Sequence, residues 1–214
     1  MQEPTRIIAV RHGETSWNVD GRIQGHRDIA LNGTGRWQAR QLAMALASEP
    51  PAAVYSSDLR RAIETAAEIA HRTHLSAVAD PRLRERCFGR YEGRTFAQVE
   101  QESPEHALRW RRRDPEYAPP GGESLNSLRD RIAGTIDDLA ARHAGELVIL
   151  VAHGGVMDVL YRLATRQHLQ AARTWQLPNA AINRLLWSPG SGLTLVGWAD
   201  TGHLDIAARD ELPG

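Results

Sequence analysis

Three short polar clusters, each closing an apolar run, hold the residues best suited to chemistry. Arg11-His12-Gly13 follows "RIIAV" (6–10), and His153-Gly154-Gly155 follows "LVILVA" (147–152). The run "AAVYS" (52–56) ends in Ser56-Ser57-Asp58 and opens into Leu59-Arg60-Arg61. Two imidazoles with fixed guanidiniums, and no carboxylate cluster beside them, suit a dianionic group such as a phosphoryl. Guanidiniums hold phosphate oxygens in pairs and neutralise charge in the transition state. A neutral histidine can act as a nucleophile, and a second imidazole can donate to an equatorial oxygen. N–H groups at a helix start after His153 would add partial positive charge. The departing alkoxide needs a proton, so a carboxylic acid with a raised pKa is expected nearby.

These clusters can work together only if the chain brings them to one edge. The runs at 6–10, 52–56, 76–79 and 147–152 read as strands, the last of them buried on both faces. Between them lie amphipathic helical stretches at 35–48, 59–74 (capped by Ser57 or Asp58), about 124–143, and after His153. "AINRLLWS" and "LTLVGWAD", separated by "PGSG", form a hairpin pattern. This order predicts a three-layer α/β/α sandwich with a mainly parallel, mixed sheet, in a single domain over residues 1–214. The segment from about 88 to 122 breaks the alternation and reads as a helical and loop insertion over one end of the sheet. Open α/β sheets bind ligands beyond the C-terminal ends of their strands, which is where the three clusters fall.

Composition narrows the classes. In 214 residues, 26 basic and 26 acidic side chains give a formal net charge of zero. No nucleic-acid or membrane partner is expected from that balance. Every basic side chain is an arginine, which excludes a Walker-type lysine and a lysine Schiff base. With Cys87 as the one cysteine there is no intramolecular disulfide. No apolar run approaches membrane-spanning length and no secretory signal is recognised, so a cytoplasmic protein is expected.

The four stretches "RHGETSWN", "SSDLRRAIETA", "LRERCFGRYEG" and "VAHGG", in that order, resemble the histidine phosphatase superfamily, in its phosphoglycerate mutase-like branch. The resemblance extends to "DTGHL" near the C-terminus. It implies a phosphoglycerate mutase-like fold. It also implies His12 as the phosphorylated nucleophile, with Arg11 and Arg61 as phosphate clamps, His153 and Gly154 completing the pocket, and Glu85 as general acid and later base. Asn18, Gln24 and Gly25 would contact the substrate. No metal is implied, and the partner would be a small phosphorylated metabolite.

The superfamily holds phosphomonoester hydrolases and phosphoglycerate mutases. "FGRYEGRT" lacks the lysine and asparagine of the mutase-type pattern after the acid, and Gly155 stands where that type has asparagine. Those differences point to a metal-independent phosphomonoester hydrolase. The alternative is a phosphoglycerate mutase, which alone would need 2,3-bisphosphoglycerate as primer. For the mutase speaks "WRRRDPEYAPP", which resembles the arginine pair and proline run of true mutases and makes Arg111 to Arg113 candidates, with Arg111 and Arg112 as the substrate-binding pair.

Each residue also has an ordinary reading. Arginines at a helix start are usually solvated, so the residues alone do not choose between Arg60 and Arg61. Glu85 among Arg84, Arg86 and Arg90 would otherwise be a surface ion pair. His71, His74 and His143 fit helix C-termini. "GTGRWQ" (33–38) imitates a dinucleotide fingerprint but follows no strand. Trp37 and Trp110 are candidates for a homodimer interface or for local packing.

Overall fold

The computed structural model describes residues 3–205. The elements run β1 (Thr5–Arg11), α1 (Ser16–Val19), α2 (Gly33–Ala45), β2 (Ala53–Ser56), α3 (Arg60–Thr73), β3 (Ala77–Ala79), α4 (Phe96–Glu102), α5 (Pro104–Arg111), α6 (Leu125–Ala141), β4 (Leu147–Ala152), α7 (Gly154–Thr165), β5 (Ile182–Ser188) and β6 (Gly192–Asp200). The sheet order is β3-β2-β4-β1-β5-β6. β1, β2, β3 and β4 pair in parallel, while the β5–β6 hairpin adds an antiparallel edge beside β1.

Alternation along the strands divides the interior. Ile7 and Ala9 of β1 pack with Val148 and Leu150 of β4 against Leu128, Ile132 and Ile136 of α6 and Val156 and Leu160 of α7. Ile8, Val10, Ile149 and Val151 face the opposite way, onto Leu42 of α2, Leu46 at its C-cap, and Ala62, Ala66 and Ile69 of α3. Each of these large side chains contributes about 1.5–3 kcal/mol by leaving water. All six β4 residues are buried, as a strand covered on both faces requires.

The central position of β1 and β4 matters most for the site. They are neighbours in parallel register, with Arg11 opposite Ala152. The His12 N–H continues the ladder onto the Ala152 carbonyl at 3.0 Å. His12 and His153 therefore leave adjacent strands at the same end.

Local chemistry sets several element boundaries apart from expectation. α2 begins at Gly33 because Asn32 caps it, accepting from the Gly35 N–H at 2.8 Å. A Cβ on Gly35 would stand 2.0 Å from the Glu14 carbonyl oxygen, so "GTG" serves a close backbone approach between α2 and the loop after β1. At α3 neither expected cap acts: the N-cap is Leu59, with no side-chain cap bond. Asp58 is instead drawn to Arg84, whose Nε donates at 2.7 Å, and Ser57 Oγ reaches only the Leu59 N–H at 3.3 Å. The 88–122 segment holds α4 and α5, and Trp110 of α5 stacks on Phe88, which precedes both helices, at 4.8 Å between ring centroids. Trp110 is thus packed inward on an aromatic neighbour. No helix among the described residues is long and apolar enough to cross a membrane.

Candidate active site

The end of β1 fixes the first imidazole. His12 is 3% exposed, and its Nδ1 bonds the Gly13 carbonyl at 2.7 Å. A carbonyl only accepts, so Nδ1 carries the proton and Nε2 keeps its lone pair. The backbone around it is held from three sides. The Gly13 N–H donates to Thr65 Oγ1 at 3.0 Å, and that hydroxyl donates to the Arg61 carbonyl at 2.8 Å. Asn179 Nδ2 donates to the His12 carbonyl at 2.8 Å. A Cβ on Gly13 would approach the Gly35 carbonyl oxygen to 2.5 Å, so the residue after His12 has to be glycine.

The second imidazole sits 5.2 Å from the first between ring centroids, tilted by 59°. His153 is fully buried at the N-cap of α7, and neither of its ring nitrogens has a hydrogen-bond partner. Arg61 is fully buried as well. Its Nη1 and Nη2 donate to the carbonyls of Arg27 (2.7 Å) and Gly25 (2.8 Å), while its Nε has no partner. Arg11 donates to the Leu177 carbonyl, and its Nε is likewise unpartnered. Buried polar nitrogens are rarely left unpaired. An anion accepting from Arg11, Arg61 and the one N–H of a neutral His153 would satisfy the two guanidinium nitrogens and one of the two imidazole nitrogens. Arg60, by contrast, is exposed and paired with Glu64 at 2.7 Å.

Burial dominates the electrostatics. It pushes the His12 pKa well below the ordinary histidine value, with Arg61 and then Arg11 adding to the effect against the Gly13 carbonyl. His153 is lowered in the same way, by burial first and then by Arg61, His12 and Arg11. Both imidazoles are therefore neutral near pH 7, as a nucleophile must be. Burial brings Arg61 down to about 10, which still leaves it charged at neutral pH. Arg11 is lowered too, by burial against the opposing pull of Glu85.

Glu85 enters from the loop after β3. Both of its carboxylate oxygens accept from the Gly155 N–H at 3.0 Å, and Oε1 also accepts from the Arg86 N–H at 2.8 Å. The carboxyl group is thereby held at the first turn of α7 rather than in a surface ion pair. A Cβ at 155 would lie 2.3 Å from Glu85 Oε1, the free end of that side chain, so a larger residue there would displace the carboxylate from the position it takes. His26 supports the same loop, with Nε2 2.8 Å from the Glu85 carbonyl.

The remaining sequence candidates divide. Asn18, in the first turn of α1, bonds reciprocally with the N-cap Thr15, and its Oδ1 lies 3.4 Å from Asn179 Nδ2, next to the His12 carbonyl. Gln24 is buried and takes the Thr15 hydroxyl at 3.1 Å. Gly25 has φ +50° and supplies the carbonyl that anchors Arg61. Gly154 opens α7 beside Arg11, where a Cβ would be 3.6 Å from Arg11 Nε. Arg111 and Arg112 do not join them: both are exposed, and Arg111 pairs with Glu100 across the surface. The arginine of that run that turns inward is Arg113, at φ +51°.

A cavity of about 700 Å³ reaches the site at Arg11, Gly154 and Gly155. Arg86, Phe88, Trp110, Arg113, Arg173 and Trp175 line its outer part. Thr65 and Arg86 lie within the quoted stretches and Asn179 outside them, but nothing in the sequence assigns any of the three a role; their contacts are found only once the strand ends are assembled.

A parallel sheet that presents two buried histidines and two arginines at one edge defines a phosphoryl-handling α/β protein. The family model for the histidine phosphatase superfamily (branch 1) matches residues 7–201, and the chain belongs to that superfamily. It is 39% identical over 203 residues to phosphoglycerate mutase-like protein 4 of Arabidopsis thaliana, covering 93% of this chain and 86% of that protein. It is 38% identical over 205 residues to the metal-independent phosphoserine phosphatase of the same plant, covering 94% and 84%. Among solved structures, mycobacterial glucosyl-3-phosphoglycerate phosphatase with VO3 superposes with a TM-score of 0.82 at 34% identity, covering 92% of this chain and 99% of that one.

Proposed function

We propose that the chain is a metal-independent phosphomonoester hydrolase in which His12 carries the phosphoryl group. The observation that carries this reading is the set of unpaired, buried nitrogens of Arg11, Arg61 and His153 around His12, whose rings lie 5.2 Å from His153. His12 Nε2 attacks phosphorus in line, and the bond to the ester oxygen breaks. Arg11, Arg61 and the N–H of His153 take the charge on the equatorial oxygens, with the N-terminus of α7 adding its dipole. Glu85 gives its proton to the departing alkoxide. As a carboxylate it then removes a proton from water, whose oxygen attacks the phosphohistidine to release inorganic phosphate and restore His12. The positive field of the two arginines supports a reaction without metal, as does the likeness to a protein named a metal-independent phosphatase. The substrate is a small phosphorylated metabolite.

The test is phosphorus NMR of 3-phosphoglycerate and other phosphomonoesters with the purified protein, with and without 2,3-bisphosphoglycerate and without added metal. Free phosphate as the product is expected. Rapid conversion to 2-phosphoglycerate with little free phosphate would replace the hydrolase with the mutase.

A further inference from the structure

Two loops have to keep a fixed relation for the site to work: residues 25–27, whose carbonyls seat Arg61, and residues 85–88, which carry Glu85. A side chain that does not line the cavity joins them. Glu92, in the stretch "GRYEG", is 8% exposed at its side chain. Its Oε1 accepts from the His26 N–H and from the Phe88 N–H, both at 3.0 Å, and Cys87 Sγ lies 3.7 Å from the same oxygen. Its one ion pair among the described residues is long, 3.8 Å to the Nε of exposed Arg27. A carboxylate so nearly removed from water is costly unless donors replace the solvent. Here those donors are backbone groups of two separate loops, so the buried charge holds the loops together.

The connection reaches the reacting groups from both sides. Gly25 and Arg27 flank His26, and their carbonyls accept from Arg61 Nη2 at 2.8 Å and Nη1 at 2.7 Å. The bond to the His26 N–H therefore fixes the seat of the arginine. Phe88 lies three residues after Glu85, and the His26 ring comes back to the Glu85 carbonyl, with Nε2 at 2.8 Å. A carbonyl only accepts, so Nε2 donates. His26 is thus clipped to Glu92 through its backbone and to Glu85 through its ring. Arg131 and the Gly155 N–H hold Glu85 from other directions, but neither bonds residues 25–27.

Resting on the hydrolase reading above, we propose that Glu92 is a positioning residue for phosphoryl transfer: by holding the N–H groups of His26 and Phe88, it sets the Glu85 acid against the Arg61 clamp. The geometry requires an acceptor at Oε1, and the negative charge strengthens both bonds.

The test reads the two arms separately, in variants whose melting curves show them folded at the assay temperature. The kcat/KM for an alkyl phosphate divided by that for p-nitrophenyl phosphate reports the acid, because only the alkoxide needs a proton. Inhibition by orthovanadate, a mimic of the trigonal phosphoryl group, reports the clamp. Glu92→Ala should lower the ratio by about tenfold and weaken orthovanadate inhibition by about tenfold. Glu92→Gln keeps an acceptor and should bring both readouts to within about threefold of the wild type. His26→Phe keeps the backbone N–H and deletes the ring bond to the Glu85 carbonyl, so it should lower the ratio alone. It carries the comparison if Glu92→Ala does not fold. A lower melting temperature with either readout unchanged in folded Glu92→Ala would reduce Glu92 to a brace of the fold and overturn the proposal. Equal damage in Glu92→Gln and Glu92→Ala, or an unchanged ratio in His26→Phe, would overturn it too. Failure of the wild type to hydrolyse even p-nitrophenyl phosphate would instead refute the hydrolase reading.

Discussion

Replacing Gly155 with alanine should disable proton transfer to the leaving group while sparing the fold. The Gly155 N–H donates to both Glu85 oxygens at 3.0 Å, and an added Cβ would sit 2.3 Å from Oε1. Oε1 cannot stay there; it must retreat by roughly 1 Å, which turns the carboxyl group and weakens its hold on the Gly155 N–H. A hydrogen bond to a charged group is worth about 1.5–3 kcal/mol, so steps that depend on Glu85 should slow by about ten- to a hundredfold. Gly154→Ala is the internal control, because its Cβ would meet Arg11 Nε at 3.6 Å and Glu85 Oε2 at 3.8 Å, ordinary contact distances. Both substitutions raise helix propensity in the first turn of α7 by up to about 1 kcal/mol, so neither should unfold the protein. The assay is kcat/KM for an alkyl phosphate, whose alkoxide needs a proton, and for p-nitrophenyl phosphate, whose leaving group does not. Gly155→Ala should lose its ten- to hundredfold only on the alkyl ester, and Gly154→Ala should stay within about threefold on both. Equal loss on the two esters, or equal loss in the two variants, would refute the placing of Glu85 as the acid.

Other consequences follow from burial and close approach. His12 and His153 are held neutral below their ordinary pKa, so the unfolded chain binds protons that the folded one refuses, and stability must fall as pH drops below about 6.5. The loss at pH 5 is at most about 2 kcal/mol per histidine, and urea unfolding at pH 7 and pH 5 should find roughly half of it gone in His12→Ala. Gly35→Ala pushes a methyl toward the Glu14 carbonyl oxygen, 2.0 Å from its Cβ, and should cost about 2 kcal/mol or more in the same assay. Arg111→Ala removes only an exposed pair with Glu100 and should change kcat/KM by less than about twofold, whereas Arg61→Met should cost at least about a hundredfold.

Strong periodicity made the frame readable from the sequence. β1 and β4 are continuous apolar runs, α3 and α6 carry apolar residues at spacings of three and four, and the parallel sheet then brings His12 and His153 together. The insertion was readable only as a break in that pattern. α4 and α5 are seven and eight residues long, too short for periodicity to fix which face turns inward. Arg111, Arg112 and Arg113 are alike as letters; the left-handed turn at Arg113 separates them, and nothing short of the folded chain reveals it. The hydrogen bond from the Gly155 N–H ties α7 to a carboxylate 70 positions away, a pairing no local pattern announces. Thr65 and Asn179 act through backbone atoms of the loop after β1, and such contacts leave no spacing rule in the sequence.

The central claim is that His12 accepts the phosphoryl group, and trapping it is the most direct test. Glu85→Gln should slow hydrolysis of the phosphoenzyme more than its formation from p-nitrophenyl phosphate. Rapid alkaline quench followed by peptide mass spectrometry and phosphorus NMR should then find one phosphoryl group on His12, bonded to Nε2 because Nδ1 is committed to the Gly13 carbonyl at 2.7 Å. Turnover without a trapped phosphohistidine, or label on His153 or another residue, would contradict the account.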